Sequence, residues 1–174
     1  MRLVRTLVIG LALLAAALIG GGLLLPERAA VTRTLSIEAP AATVFALANA
    51  LPQFNRWSPW LFEAPASVQY SGPRSGVGAV AEWSYANGGY GRIEITASEP
   101  HRTVEQALTF DGGGAATTTI GIQPDGDGVV VSVTYSTEFA FDLTGRYVGL
   151  FHDRLFGARL ETALDKLGRL AQTP

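Results

Sequence analysis

Between Ser67 and Phe141 the chain reads as six strands, each of the first five closed by turn chemistry, and this run constrains the fold more than any other feature. Ser67–Ser71 stops at Gly72-Pro73, and Gly78–Ala86 stops at Asn87-Gly88-Gly89. Tyr90–Ser98 stops at Glu99-Pro100-His101, Arg102–Phe110 at Asp111 and three glycines, and Ala116–Gln123 at Pro124-Asp125-Gly126-Asp127-Gly128. Val129–Phe141 is the sixth. Asn-Gly and Asp-Gly pairs supply the positive φ that tight hairpins need. Strands separated by such short turns predict an antiparallel meander.

Alternation within the strands assigns faces. Trp83 and Tyr85 share one, as do Ile93 and Ile95, then Val104, Gln106, Leu108 and Phe110. Thr118, Ile120 and Ile122 continue that set, followed by Val129, Val131, Val133, Tyr135 and Thr137. The opposite face carries Glu82, Arg92, Glu94, Glu105, Thr117, Thr119, Ser132 and Thr134. The inward set is mostly apolar with a few polar tips. That composition fits a small-molecule pocket and fits an ordinary core equally well.

Two helices are expected after the sheet. Tyr147, Leu150, Phe151, Leu155 and Ala158 follow helical spacing; Phe156, Leu160, Ala163, Leu164, Leu167 and Leu170 form a second stripe on about the opposite side. Gly157 stands at the changeover, and glycine is a poor helix former. The spacing predicts helices over Leu143–Phe156 and Ala158–Gln172, or else one helix covered on both sides. In the first, Tyr147 and Phe151 are placed to close one end of a cavity.

Before the meander, Val31–Glu38 reads as a strand whose inward face is Val31, Leu35 and Ile37, with Arg33 at an exposed end. Pro40 then opens a helix, where its missing N–H costs nothing. Gln53–Trp57 forms a second short helix or turn. Phe54, Trp57, Trp60 and Phe62 follow, which reads either as a packed loop or as tryptophans facing a ligand.

Thr6–Leu25 is twenty consecutive uncharged, mostly apolar residues, enough to cross a hydrocarbon core. A signal peptide usually has a shorter apolar centre, about 7–15 residues, so residues 1–26 are read as an uncleaved anchor and 27–174 as one domain. Gly20-Gly21-Gly22 and Ala15–Ala17 are the residues a signal peptidase would use. Arg2 and Arg5 favour a cytoplasmic N-terminus, which puts the domain outside the cytoplasm, in a periplasm-like setting. With Arg2 and Arg5 set aside, the 13 basic residues fall to 11 against 15 acidic ones, a balance of −4. No basic stripe exists for nucleic acid. The absence of cysteine removes disulfides, thiolate nucleophiles and cysteine-based zinc sites.

The order of elements resembles the SRPBCC superfamily, the START-like or polyketide cyclase/dehydrase family. The residues that carry the likeness are Ile37–Phe45 at the first strand-to-helix step, Trp57-Ser58-Pro59-Trp60, Gly76-Val77-Gly78, Glu99-Pro100, and Arg146-Tyr147 with Asp153 and Gly157. The likeness covers about Val31 to Ala171. It implies an α+β helix-grip fold: a curved antiparallel sheet of about seven strands around a long C-terminal helix, with an elongated cavity between. It also implies a hydrophobic small molecule or lipid as ligand. Trp57, Trp60, Trp83, Tyr85, Gln106, Tyr135, Thr137, Tyr147 and Phe151 are the expected ligand-binding residues. No cofactor, metal or catalytic residue is assigned.

Catalysis finds little support in the residues. His101 sits in an exposed turn, and His152 is placed on the polar side of its helix beside Asp153. Asp125-Gly126-Asp127-Gly128 lacks the later ligands of a calcium loop. Only a one-residue register slip would turn Glu82, Arg92 and Glu94 inward. A noncatalytic binding module therefore ranks first, a cyclase-like enzyme second, and a partner-docking domain using Trp57 and Trp60 third.

Overall fold

The computed structural model describes residues 2–60, 67–86, 88–111 and 114–173. An apolar helix α1 (Arg2–Leu24) leads into β1 (Arg28–Ile37), α2 (Ala41–Asn49) and α3 (Leu51–Phe54). The meander follows as β2 (Ser67–Ser71), β3 (Val80–Ser84), β4 (Tyr90–Glu99), β5 (Thr103–Phe110), β6 (Ala115–Asp125) and β7 (Gly128–Glu138). The chain ends in α4 (Leu143–Gly149) and α5 (His152–Gln172). All seven strands form one antiparallel sheet in the order β1-β7-β6-β5-β4-β3-β2. A register shift between Ile95 and Ala97 marks a bulge in β4, which bends and twists a strand locally. This is the helix-grip fold, and the strands and helices occur in the order the turn chemistry and periodicity predict.

The side-chain alternation is as expected. Ala81 and Trp83, Ile93 and Ile95, Val104, Gln106 and Leu108, Thr118, Ile120 and Ile122, and the odd-numbered residues Val129–Tyr135 are all buried. The α5 helix covers this face with Leu160, Ala163, Leu164, Leu167 and Ala171. Full burial of each leucine contributes about 1.5–3 kcal/mol. On the outer face Arg92 pairs with Glu82 at 3.4 Å and Glu94 at 2.8 Å. The register thus leaves these three ionisable groups on the convex side, away from α5.

Two expectations need correction. The helix break falls at Leu150–Phe151, and Gly157 lies inside α5. Glycine is used there for space: a Cβ at Gly157 would collide with the guanidinium of Arg33. Arg33 is also mid-strand rather than at an exposed end. It points from the edge strand to α5, where it meets Asp153 at 2.7 Å and Glu161 at 2.6 Å. The break instead separates two orientations, with α4 turned onto α1 and α5 beginning on the concave face. Phe62 of the aromatic stretch lies outside the described residues.

Candidate functional site

The concave face has two unlike halves. Toward the β6–β7 turn the inward side chains are Ile37, Val129, Val131, Ile122, Val133, Ile120 and Val104, all buried and all aliphatic. One ladder step toward α1 the chemistry changes. Tyr135 stands opposite Thr118, Thr118 opposite Gln106, and Gln106 opposite Ile95. Three polar side chains thus run side by side across β7, β6 and β5, on the face that α5 covers.

Their hydrogen bonding is incomplete. Gln106 and Thr118 are fully buried, yet both amide atoms of Gln106 and the hydroxyl of Thr118 have no partner among the described residues. Two further buried atoms share this property, the indole nitrogen of Trp60 and Nε2 of His152. A buried polar group without a partner costs about 1–3 kcal/mol, and native proteins contain few of them.

Aromatic packing gathers the same residues. The Trp60 ring lies 4.4 Å from that of Tyr135 and 6.3 Å from those of Phe110 and Phe156. His152 stacks on Tyr135 at 5.3 Å with the planes 3° apart, and Phe156 closes on both. Burial away from water holds the His152 imidazole below its ordinary pKa, so it is neutral at pH 7. Burial raises the Tyr135 phenol, opposed by the Thr137 hydroxyl and the charge of Arg159. The four side chains with unpartnered atoms are all uncharged in this setting. They can donate to or accept from a neutral polar group on an otherwise apolar molecule.

The other expected site residues are distributed as follows. Trp83 is buried, 6.4 Å from Phe110. Tyr85 is half-buried and donates to the Trp60 carbonyl at 3.3 Å. Thr137 is half-buried one step from Tyr135 on the same face. Trp57 is wholly buried in separate packing, its indole donating to the Leu47 carbonyl at 3.1 Å and its ring edge-on to Phe54. Neither Trp57 nor Trp60 is presented on the surface, contrary to what a docking loop requires. Tyr147 leaves the concave face altogether: its hydroxyl donates to the Leu18 carbonyl of α1 at 2.7 Å. Phe151 is 57% exposed. Tyr147 and Phe151 therefore do not close the cavity end, because the first helix ends at Gly149 and not at Phe156, about two turns earlier than expected.

His152 is the residue the periodicity argument misplaced. It is 4% exposed, inside rather than on a polar side. The signal was present: His152, Phe156 and Leu160 are spaced four apart, so the buried stripe of α5 extends one turn back. His101 is exposed in its turn, edge-on to Phe45. Among the described residues no cluster of histidines and carboxylates has metal-site geometry.

A model of the polyketide cyclase/dehydrase and lipid transport family matches residues 28–172. No curated protein matches the chain. Among solved structures, norcoclaurine synthase from Thalictrum flavum, in complex with dopamine and hydroxybenzaldehyde, aligns with a TM-score of 0.62 at 15% identity. That alignment covers 82% of this chain and 86% of the other. Ara h 8.0201 aligns with a TM-score of 0.58 at 14% identity, over 84% of this chain and 99% of its own. A protein of Chromobacterium violaceum gives 0.56 at 17%, over 83% and 98%. At these identities the likeness to the solved structures is one of fold.

Proposed function

The chain belongs to the polyketide cyclase/dehydrase and lipid transport family, and from that premise we propose that it binds a largely apolar, uncharged small molecule or lipid on the concave face, held at a membrane by α1. The observation that carries this reading is the set of unpartnered polar atoms on Gln106, Thr118, His152 and Trp60. Each would gain a hydrogen bond from a ligand hydroxyl, carbonyl or amide. A carboxylate or phosphate is disfavoured. The one buried charged side chain among the described residues, Arg146, is committed to carbonyls and Glu27 elsewhere. Arg2 and Arg5 ahead of the span support a domain on the non-cytoplasmic side. Native mass spectrometry of the full chain, released from gentle detergent and followed by organic extraction, tests the reading. A neutral lipid or polyketide-like molecule at near one-to-one supports it. Protein that is empty after mild purification and takes up no neutral apolar probe contradicts it.

His152 favours a second reading, an enzyme of the cyclase or aldol type. A neutral buried imidazole with a free ring nitrogen, against a tyrosine that keeps its proton, is a base–acid pair in the right setting. Tests for this reading compare turnover of polyketide-like diketones by wild type and His152→Phe. Unchanged background rates for both remove the enzymatic reading and leave binding in place.

A further inference from the structure

The joint between α1 and the domain is built from specific contacts. Arg146 is 4% exposed although it sits on a short helix at the edge of the molecule. Its guanidinium donates to the carbonyls of Leu25 at 3.2 Å and Leu23 at 3.4 Å, and to the Glu27 carboxylate at 2.8 Å. It therefore caps the C-terminal carbonyls of α1, which have no partner within the helix. One turn deeper, the Tyr147 hydroxyl meets the Leu18 carbonyl at 2.7 Å. The glycines of α1 admit this approach. A Cβ on Gly21 would stand 2.7 Å from the Tyr147 hydroxyl, and one on Gly22 would stand 3.3 Å from Leu143. The glycine run that resembles a cleavage region is thus the seat of α4.

These contacts fix a depth. Leu18 lies six residues before the end of α1, about 9 Å along the axis at ~1.5 Å per residue. An apolar span such as Leu3–Leu24 is long enough to cross a bilayer. If it does, α4 lies about 5–10 Å inside the boundary, the depth at which amphipathic interfacial helices rest. The exposed residues around α4 suit that setting. Outside α1, eight large apolar residues are exposed among the described residues, and five fall in one short stretch: Phe141, Val148, Leu150, Phe151 and Leu155. Phe141 is 93% exposed. It follows Ala140, whose φ of 42° is in the left-handed region that disfavours a side chain. Two donors of Arg146 hold the Ala140 carbonyl in that conformation. Backbone strain that turns a phenylalanine into water is hard to explain by folding alone.

We infer that α4 and its flanks, from Phe141 to Leu155, form a second membrane contact that lies in the outer boundary of the bilayer α1 crosses. With Arg146 and Tyr147 clamping α1, the domain is held on its side of the membrane in one orientation. The concave face's polar half, which begins at His152, is then next to the lipid. The contact is apolar and needs no anionic lipid, in keeping with the domain's acidic balance.

This inference rests on the tether proposed above, and the test separates the two. The chain has no cysteine, so single-cysteine variants accept one fluorophore each. Phe151→Cys and Val148→Cys report on the proposed contact, Leu14→Cys on the span, and Asp125→Cys on the opposite end of the sheet. The full chain is reconstituted in phosphatidylcholine vesicles doped with phosphatidylcholine carrying a nitroxide near the top of one acyl chain, and iodide serves as the aqueous quencher. The expected result is lipid quenching and at least threefold protection from iodide at 148 and 151, with position 125 freely quenched by iodide. Labels at 148 and 151 open to iodide while 14 stays in lipid overturn the contact and leave the tether. Labels at 14 open to iodide overturn the tether itself. Protection at 151 from both quenchers means a protein covers the patch, such as a second copy, and also overturns the lipid contact.

Discussion

The two halves of the concave face share a sheet and a covering helix but differ in how completely they are satisfied. In the aliphatic half, Val104, Ile120, Val131 and Val133 are buried in one hydrophobic cluster with Leu160, Leu164 and Leu167. In the other half, Gln106, Thr118, Trp60 and His152 bury polar atoms that no described residue pairs. One half is what stabilises the fold. The other buries hydrogen-bonding groups at a cost in stability, which fits the binding role proposed for it.

Substitutions can break that comparison. Ile120→Ala in the aliphatic half leaves a cavity in closely packed surroundings and should cost about 2–5 kcal/mol by denaturant unfolding. A loss well under 1 kcal/mol would mean that this half is not the packed core. The polar half should respond to acid. The folded pKa of His152 lies below the unfolded value of ~6.5, so the unfolded chain takes up the proton first. The contribution of His152 is intact above about pH 6.5 and is lost as pH falls from there through the folded value. Denaturant midpoints of wild type should therefore drop across that window, and His152→Phe should flatten the drop. An unchanged profile would place the imidazole in water. Trp60→Phe keeps the ring packing on Tyr135 and removes the unpartnered N–H. It should change stability by under about 1 kcal/mol, while weakening retention of any bound molecule that the indole holds. A large loss of stability would reveal a hydrogen bond that anchors the fold.

Much of this architecture was legible in the residues. Period-two alternation between turn signals assigns the inward set strand by strand, because a register slip would expose Val129, Val131 and Val133 of β7. The same rule places Gln106, Tyr135 and Thr137 on the inward face, where the structure has them buried or half-buried. The C-terminal helices were harder. Gly157 resembles a helix breaker until Arg33 is seen against it, and Arg33 comes from a strand more than a hundred residues earlier. Tyr147 looked like a cavity residue because its stripe is real; what it packs on is α1, a partner no local pattern names. His152 is polar, which suggests an outer face, but its spacing to Phe156 and Leu160 is that of the buried stripe, and it is buried.

The central claim is that the polar half is kept for a ligand and not for the fold. The most direct measurement is the unfolding free energy of Gln106→Leu against wild type, both stripped of bound molecules and held in the same detergent. An amide with no partner should be better replaced by an apolar side chain of similar size, so the variant should be more stable by about 1–3 kcal/mol. A variant less stable than wild type by that amount would show that the amide is satisfied within the folded protein, and the account of a ligand-binding half would fail.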